Sequence, residues 1–218
     1  MLLKRAAPHA VLLAYVAVVL FPFVFVLFSS LKGSNVEIAT NPFGIPKTWH
    51  VENYAEAWVK AKIGVYFFNS VYLSFTSALA AALLAAATAF AIVRMRFPRT
   101  GRWIYQTVLI GMFIPGNVLF IAQYLLVMEL GVLNTHWALF LPYTAGALPL
   151  GVLLLVAFMK SLPGELEEAA IIDGLNSAGV FAKIVLPLTV PALVTVFIVN
   201  FLGAWNEYLL ANFFISRD

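Results

Sequence analysis

Long apolar runs alternate with short polar segments along the whole chain. Each run approaches or exceeds the ~20 apolar residues that an α-helix needs to cross the hydrocarbon core of a bilayer. The pattern predicts membrane-spanning helices at about residues 10–30, 65–93, 103–128, 138–159 and 185–210. We therefore expect an all-α fold, a polytopic bundle of membrane helices that forms one domain over residues 1–218.

The polar segments are short, with one exception at residues 31–64. Within it, the sequence NPFGIP at 41–46 combines proline and glycine, which indicates a loop. The residues from Glu52 to Lys62 that follow it predict a short amphipathic helix. The aromatic residues of this segment are typical of a membrane–water interface.

Composition supports a membrane protein. The chain of 218 residues is 63% hydrophobic and 11% charged, whereas soluble domains are ~45–50% apolar and ~25% charged. A globule of this size could not bury so much apolar surface. The chain contains no cysteine, which excludes disulfides and thiolate metal sites.

Lysine and arginine are distributed unevenly among the polar segments. The link 129–137 contains neither, while residues 94–102 hold four arginines. The arginine-rich loop, the amino terminus and the loop 160–183 form one side of the predicted topology. The basic residues on that side are Lys4, Arg5, Arg94, Arg96, Arg99, Arg102, Lys160 and Lys183. Because short cytoplasmic loops are enriched in lysine and arginine, we expect this side, including the amino terminus, to be cytoplasmic.

The segment 161–187, SLPGELEEAAIIDGLNSAGVFAKIVLP, is a polar island between two apolar runs. Ser161 is expected to cap a first short helix, and Gly174 to end it in a left-handed conformation. A second helix is expected to begin at Asn176 or Ser177. Residues at helical spacing that share one face of the first helix are Leu166, Ala169, Ala170 and Asp173. Periodicity leaves two interpretations open: a capped turn that links two spans, or a surface on which another protein docks.

Several polar residues lie within or near the apolar runs. They are Asn69, Gln106, Asn117, Gln123, Asn200, Asn206 and Glu207. Such residues either form hydrogen bonds between helices or line a pathway. A sugar pathway would combine amides, which bond to hydroxyl groups, with aromatic rings, which stack on sugar faces. Asn117, Gln123 and Tyr124 are the candidates for that role.

Other chemistries find no support in the sequence. The phosphate-binding pattern GxxxxGK[ST] and the zinc pattern HExxH are both absent, and the three histidines are scattered. No cleft with paired carboxylates is indicated. Basic residues are not interleaved with aromatics in a polar setting, which argues against nucleic-acid binding. We expect neither an enzyme nor a resident metal or cofactor.

The island resembles the cytoplasmic loop signature of importer-type ABC transporter permeases. That signature reads EAA, three residues, G, nine residues, I, one residue, LP. Its positions are matched by Glu168, Ala169, Ala170, Gly174, Ile184, Leu186 and Pro187. The segments ENYAEAW, LPGELEEAAIIDG, LPLTVPAL and WNEY are similar to the carbohydrate branch of the family, in particular to maltose-permease-G-like subunits.

The resemblance implies a partner for each face of the protein. A dimer of ABC ATPases would hydrolyse ATP on separate subunits and contact the signature residues and Asp173. A second, homologous permease would form the translocation path together with this chain, and both would be surrounded by membrane lipid. An extracytoplasmic solute-binding protein would deliver a sugar or oligosaccharide. The expected location is the cytoplasmic (inner) membrane of a bacterium or archaeon.

Two alternatives remain open. One is an importer of the same type for another solute, such as a peptide or polyamine. The other is an ion-coupled secondary transporter, which would need carboxylates in the middle of its spans. Permeases of this family usually have six spans, so we expect that the chain is truncated at its carboxyl end and lacks the sixth.

Overall fold

The computed structural model describes residues 2–95 and 97–215, and these residues form helices joined by turns, with no strand among them. The helices are α1 (Leu2–Ser30), α2 (Asn35–Thr40), α3 (Glu52–Lys60), α4 (Ile63–Arg94), α5 (Pro98–Gly111), α6 (Phe120–Glu129), α7 (His136–Ser161), α8 (Glu165–Ile172), α9 (Ser177–Val180), α10 (Leu186–Leu188), α11 (Val190–Trp205) and α12 (Leu209–Phe214). A 3₁₀-helix spans Gly116–Leu119, and a π-helical turn spans Phe181–Val185. The predicted all-α fold is confirmed. Arg96 and the side chains of Lys4 and Arg5, which contribute to the charge bias, lie outside the described residues.

The chain divides into two units, Met1–Phe67 and Phe68–Asp218. In the first unit, the segment after α1 folds back onto the end of that helix. Lys32 is buried, and its Nζ donates hydrogen bonds to the carbonyl oxygens of Asn41 and of Pro42, the latter at 3.1 Å. Asn53 Nδ2 donates to the carbonyl oxygens of Ser30 (3.0 Å) and Lys32 (2.9 Å). The expected loop around residues 41–46 is therefore held by hydrogen bonds to the end of α1. Helix α3 confirms the short amphipathic helix expected after it.

Glu37 closes the same loop. Its carboxylate accepts hydrogen bonds from the backbone N–H of Lys47 at 2.8 Å and of Gly33 at 3.3 Å. The Lys47 hydrogen bond is the main reason that the pKa of the Glu37 carboxyl lies below its usual value, although partial desolvation opposes the shift. Ser34 caps α2 by accepting a hydrogen bond from the Glu37 N–H.

Three helices are long and apolar enough to cross a membrane: Pro8–Ser30, Ile63–Arg94 and His136–Ser161. Two further pairs of helices pass the same test together, although each pair is bent. Within residues 2–95 and 97–215, length and composition therefore allow three spans, or up to five if each bent pair counts as one. The sequence predicted all five apolar regions, but it did not predict the bends.

The region expected as one span over 103–128 is not a continuous helix. The axes of Arg99–Gly111 and Gly116–Glu129 make an angle of 89°. The break comes at Pro115, which lacks an N–H group and disfavours helical geometry in the residue before it. The apolar composition continues through this break, which is why hydrophobicity alone did not indicate it.

The region expected over 185–210 is also bent. Ser177–Leu188 and Val190–Trp205 meet at 75°, and a separate helix, α12, begins at Leu209. The bend lies at Thr189, between two prolines, where the hydroxyl donates to the carbonyl oxygen of Val185 at 2.6 Å. The carbonyl oxygen of Val185 also accepts a hydrogen bond from the Thr189 N–H at 2.9 Å, so Thr189 makes two bonds to the turn before the bend.

The larger core cluster of the second unit joins α4 to α7. Small residues form the buried stripe of α4: Ala78, Ala81, Ala82, Ala85, Ala86 and Ala89. They allow α7 and α11 to approach closely, as expected for membrane helices that pack through small side chains. A Cβ added at Gly151 of α7 would lie 2.9 Å from Ala85 Cβ and 3.2 Å from Val196 Cγ1. Ala170, Val180 and Val185 belong to the same cluster, so the loop after α7 is part of the core.

Candidate functional site: the coupling loop

We call residues 161–187 the coupling loop, after the ATPase contact that the resemblance implies. Its first helix, α8, ends in a Schellman motif, in which Leu175 N–H bonds to the Ala170 carbonyl oxygen and Gly174 N–H bonds to that of Ile171, both at 3.0 Å. Gly174 has φ +87°, the left-handed conformation that the sequence predicted. Leu175 and Ala170 pack in the same core cluster, which fixes the turn against the membrane helices.

The start of α8 differs from the expectation. Ser161 is the last residue of α7, and its hydroxyl donates to the carbonyl oxygen of Phe158 at 2.7 Å. Gly164 occupies the N-cap position of α8, without a side-chain cap. The expected cap at Ser161 is therefore wrong, because the preceding helix continues through that residue. The expected start of the second helix is confirmed: Asn176 Oδ1 accepts a hydrogen bond from Gly179 N–H at 2.8 Å.

Arg94 connects the coupling loop to the membrane helices through two hydrogen bonds and an ion pair. Arg94, the last residue of α4, donates through Nη2 to the carbonyl oxygens of Met159 and Leu162, each at 2.9 Å. Its Nε lies 2.7 Å from Oε1 of Glu167 in α8, and both side chains are largely buried, 18% and 13% exposed. Arg94 therefore links the ends of α4 and α7 to the coupling loop.

The signature residues separate into two groups. Ala170 is buried, and Ile184 and Leu186 are half-buried against the core cluster. Glu168, Ala169, Asp173, Gly174 and Pro187 are exposed. The exposed members of α8 and its C-terminal turn form a surface that carries two carboxylates beside small residues, and the buried members hold that surface to the membrane helices.

Sequence reasoning missed two features of this loop. Ile171 and Ile172 are 60% and 85% exposed, so the polar island also presents apolar side chains. Glu167 is a buried anchor, although it lies in a run of glutamates that reads as a solvated face. The two isoleucines at the end of the glutamate-rich helix α8 were a sequence signal for the first feature. The second feature had no local signal, because Arg94, the partner of Glu167, is distant in sequence.

The family comparison matches this part of the chain. Residues 78–217 match the model of a family described as "Binding-protein-dependent transport system inner membrane component". The chain belongs to this family. It is therefore a permease component of an inner membrane transport system, and its apolar helices make it a multi-pass membrane protein.

Curated relatives cover nearly the whole permease chain. It is 39% identical over 205 residues to the diacetylchitobiose uptake system permease protein NgcG of Streptomyces coelicolor, covering 94% of this chain and 67% of the relative. It is 33% identical over 209 residues to the trehalose transport system permease protein SugB of Mycobacterium tuberculosis, covering 95% and 75%. It is 33% identical over 199 residues to the sulfoquinovosyl glycerol transport system permease protein SmoH of Agrobacterium fabrum, covering 91% and 69%.

The permease does not gather the candidate pathway residues into one site. Asn117 is exposed in the 3₁₀-helix before α6, whereas Gln123 and Tyr124 are half-buried neighbours on α6. Tyr124 packs against Phe214 of α12, with ring centroids 5.8 Å apart. Their role in substrate contact stays a prediction. Among the described residues, no group of three or more histidine, aspartate or glutamate side chains could hold a metal ion.

Glu207 lies between α11 and α12, and its carboxylate accepts three hydrogen bonds. Its Oε1 accepts a hydrogen bond from Leu210 N–H at 2.7 Å, and its Oε2 accepts one from Ala211 N–H at 3.1 Å. The hydroxyl of Tyr143 in α7 donates to the same Oε2 at 2.7 Å. The carboxylate thus caps α12 and ties it to α7.

Proposed function

We propose that this permease is the membrane-spanning subunit of an ATP-driven sugar importer and that its coupling loop docks onto a cytoplasmic ATPase. The observation that carries the docking role is the pair of opposite faces on α8. One face presents Glu168, Ala169 and Asp173 to solvent, while Glu167 on the other is held by Arg94. A surface that must transmit force needs both an exposed contact and a rigid attachment.

The exposed face suits a protein cleft. Ala169 and Gly174 are small, so a partner surface can approach the backbone closely. Glu168 supplies a charge that fixes the register of the contact, and Ile172 supplies an apolar side chain for a pocket. When ATP binding closes the cleft, the two arrangements of the membrane helices gain different affinities for the ATPase, which is the requirement for coupling.

The attachment transmits that difference to the spans. Arg94 joins α8 to the ends of α4 and α7, and the buried side chains of the coupling loop lie in the core cluster of those helices. A displacement of α8 therefore acts on both helices together, because packed cores do not deform continuously. The remaining expected partners are a second permease and a solute-binding protein.

The sugar assignment rests on the relatives. Their names describe transport of diacetylchitobiose, trehalose and sulfoquinovosyl glycerol, all of them carbohydrates or glycosides. We therefore infer a carbohydrate or glycoside, neutral or with a single charge, as the solute, in preference to a peptide or polyamine. Uptake by membrane vesicles that contain the whole transporter checks this, with radiolabelled diacetylchitobiose, trehalose, a dipeptide and spermidine as probes. ATP-dependent uptake of only the dipeptide or spermidine would overturn the sugar assignment.

We infer the orientation of the permease from the length of α7 together with the charge bias of the loops. The 26 residues of α7 span about 39 Å, more than the ~30 Å of hydrocarbon, so the link 129–137 and the coupling loop lie on opposite sides of the membrane. The charge bias puts the coupling loop and the amino terminus in the cytoplasm. Because the chain has no cysteine, Leu130→Cys and Ala178→Cys each create a single label site. An impermeant maleimide added to intact spheroplasts should label Cys only at position 130; labelling at position 178 instead would reverse the orientation.

The docking test uses two turns with the same geometry. Gly131 ends α6 in a Schellman motif with φ +68°, as Gly174 ends α8 with φ +87°, and a Cβ at either position meets no atom within 4 Å. Gly174→Asp and Gly131→Asp therefore impose the same strain and the same charge at opposite ends of the molecule. We expect Gly174→Asp to lose the ATPase on affinity purification of the transporter and Gly131→Asp to retain it.

A second matched pair tests the charge. Glu168→Lys reverses an exposed carboxylate on the coupling loop, and Glu129→Lys reverses an exposed carboxylate at the end of α6. Only the first should reduce the amount of ATPase that co-purifies, with membrane insertion unchanged in both. Equal co-purification from wild type, Gly174→Asp and Glu168→Lys would refute the docking role.

A further inference from the structure

Helix α5 packs along α7 and runs in the opposite direction. Near the end of α7, Lys160 places its Nζ 5.9 Å from the centre of the Tyr105 ring, and at the end of α5 a Cβ added at Gly111 would lie 3.6 Å from Cγ of Pro149. Lys160 and Pro149 are about 16 Å apart along the axis of α7, which is half of the ~30 Å hydrocarbon core. Helix α5 therefore crosses about one leaflet of the bilayer, starting on the side of the coupling loop.

Three cations follow one another near the start of α5, and we call them the cationic row. Arg99 and Arg102 are exposed and lie one turn apart, and the exposed Lys160 lies over Tyr105, one further turn along. Residues at this spacing have Cβ atoms ~5–6 Å apart, and like charges so close together destabilise a helix. Within the described part of the chain, no member of the cationic row forms an ion pair with a carboxylate. An anion from outside the chain would relieve this repulsion.

The neighbouring Arg94 shows what a structural cation looks like in this permease. It is largely buried, it is paired with Glu167, and it donates to two carbonyl oxygens. The cationic row differs in being exposed at the surface of the protein. A positive charge that only set the topology could lie anywhere in the loop, whereas these charges lie at successive turns beside one helix.

The exposed side of α5 changes from charged to apolar along its length. Trp103 follows Arg99 by one turn and is mostly exposed, as are Ile110 in the last turn and Phe113 just after the helix. Tryptophan is enriched at the level of the lipid headgroups, and exposed apolar side chains suit the hydrocarbon beneath them. The order of cation, tryptophan and apolar side chain matches the order of phosphate, glycerol ester and acyl chain in a phospholipid.

We propose that the cationic row binds the headgroup of an anionic phospholipid, with the phosphate between Arg99, Arg102 and Lys160. A guanidinium group can donate two parallel hydrogen bonds to one phosphate, and basic segments beside membrane helices attract anionic lipids. A soluble anion would make no use of Trp103 and Ile110, whereas the acyl chains of a lipid would cover them. The site concerns the membrane around the permease and is independent of the solute and of the ATPase.

The first test measures lipid binding to the wild type. The complete transporter is delipidated in a neutral detergent, and its unfolding temperature is followed as phosphatidylglycerol, phosphatidylcholine or inorganic phosphate is added. We expect phosphatidylglycerol, which carries one net negative charge, to act at lower concentration than the zwitterionic phosphatidylcholine, and inorganic phosphate to have no effect. Because salt screens exposed charges, about 0.5 M NaCl should remove the advantage of phosphatidylglycerol.

The second test removes the arginines. Arg99→Gln/Arg102→Gln takes two charges from exposed positions of α5. The matched control, Lys47→Gln/Lys62→Gln, takes two charges from exposed lysines that likewise form no ion pair with the residues the structure describes. Each cation beside an anionic lipid changes its affinity roughly 5-fold. The arginine variant should therefore bind phosphatidylglycerol about 25-fold more weakly, and the lysine control should bind it like the wild type. Arg99→Lys/Arg102→Lys keeps the charge and should recover most of the affinity.

The third test asks whether one headgroup occupies the whole row. Native mass spectrometry of the complete transporter counts the phosphatidylglycerol molecules that remain bound. We expect Arg99→Gln/Arg102→Gln to retain one lipid fewer than the wild type and the further substitution Lys160→Gln to remove no more, because the three cations share one phosphate. Loss of another lipid with Lys160→Gln would show a diffuse charged surface and would overturn the single site.

Other results would also overturn the lipid site. One is an equal response of the wild type to phosphatidylglycerol and phosphatidylcholine, and another is an equal response to inorganic phosphate, which would indicate a soluble anion. Loss of the ATPase or of the second permease from the purified arginine variant would show that the cationic row contacts a protein. If the arginine variant does not fold, a phosphatidylglycerol advantage that persists in the salt titration of the wild type decides against the site. Sugar uptake enters none of these measurements, so the importer function is tested separately.

Discussion

The two ends of α7 hold their neighbours in different ways. Near its carboxyl end, Arg94 forms an ion pair with Glu167 and donates to the carbonyl oxygens of Met159 and Leu162. In its amino-terminal half, Tyr143 donates to Glu207, whose other recorded donors are two backbone N–H groups. Among the described residues, the largely buried Glu167 carboxylate is thus paired with a full positive charge, whereas the half-buried Glu207 carboxylate accepts hydrogen bonds from neutral N–H and O–H groups.

Packing differs in the same direction. At Gly151 the helices α4, α7 and α11 meet at van der Waals distance, whereas at Gly146 and Gly203 they leave a cavity. The two halves of α7 therefore differ both in packing and in charge pairing. The end beside the coupling loop is tightly packed and held by an ion pair, and the other half retains open space beside hydrogen-bonded polar groups.

The largest loss of stability should follow from removing Arg94, the cation near the carboxyl end of α7. Arg94→Leu leaves the Glu167 carboxylate largely buried without its partner and removes a donor from the carbonyl oxygens of Met159 and Leu162, of which that of Met159 keeps the Leu162 N–H. Breaking a buried ion pair from one side costs about 3–5 kcal/mol. We expect a loss of this size in the free energy of unfolding, measured by reversible denaturation in mixed micelles.

Glu167→Gln is the control for this change. It leaves Arg94 bonded to both carbonyl oxygens and keeps an acceptor beside its Nε, so the loss should be less than half that of Arg94→Leu. Arg94→Lys should fall between them, because lysine keeps the charge but lacks the planar fork of arginine. If all three variants unfold like the wild type, the ion pair does not secure the coupling loop.

The coupling loop shows which parts of the structure local sequence signals can specify. Gly174 and Asn176 were predicted because the left-handed turn and the side-chain cap each depend on a few neighbouring residues. Ser161 was assigned to the wrong helix, since a serine two residues before a proline can equally end one helix or cap the next. Arg94 and Glu167 were not paired, because nothing local indicates that α4 ends beside α8.

Local sequence signals could not predict the bends in the spans or the cavity, because both depend on how helices are placed relative to each other. Hydrophobicity identified the apolar region around Pro115 but not the 89° angle there, since a proline in a membrane helix is often accommodated without a break, as at Pro142 and Pro149 of α7. The cavity depends on the relative position of α7 and α11. The amide of Asn200 was noted as polar within a span, but only the packed structure shows that it lacks a partner.

A smaller loss of stability is expected in the amino-terminal half of α7. Tyr143→Phe removes the one side-chain donor to Glu207 and leaves the backbone donors from Leu210 and Ala211 in place. A hydrogen bond to a charged group contributes about 1.5–3 kcal/mol, so we expect a loss within that range in the same unfolding assay. A loss as large as that of Arg94→Leu would contradict the difference between the two ends.

The smallest effects come from single methyl groups, and they should have opposite signs. Gly151→Ala forces a Cβ to within 2.9 Å of Ala85 Cβ, and overpacking of this kind costs about 1–3 kcal/mol. Gly146→Ala meets open space, and it should stabilise the permease by about 0.4–1 kcal/mol, because alanine loses less conformational entropy than glycine on folding. Unfolding temperatures of the two variants measure the difference directly. If both alanines destabilise the permease equally, α7 is packed as tightly at Gly146 as at Gly151, and the contrast between its two halves is lost.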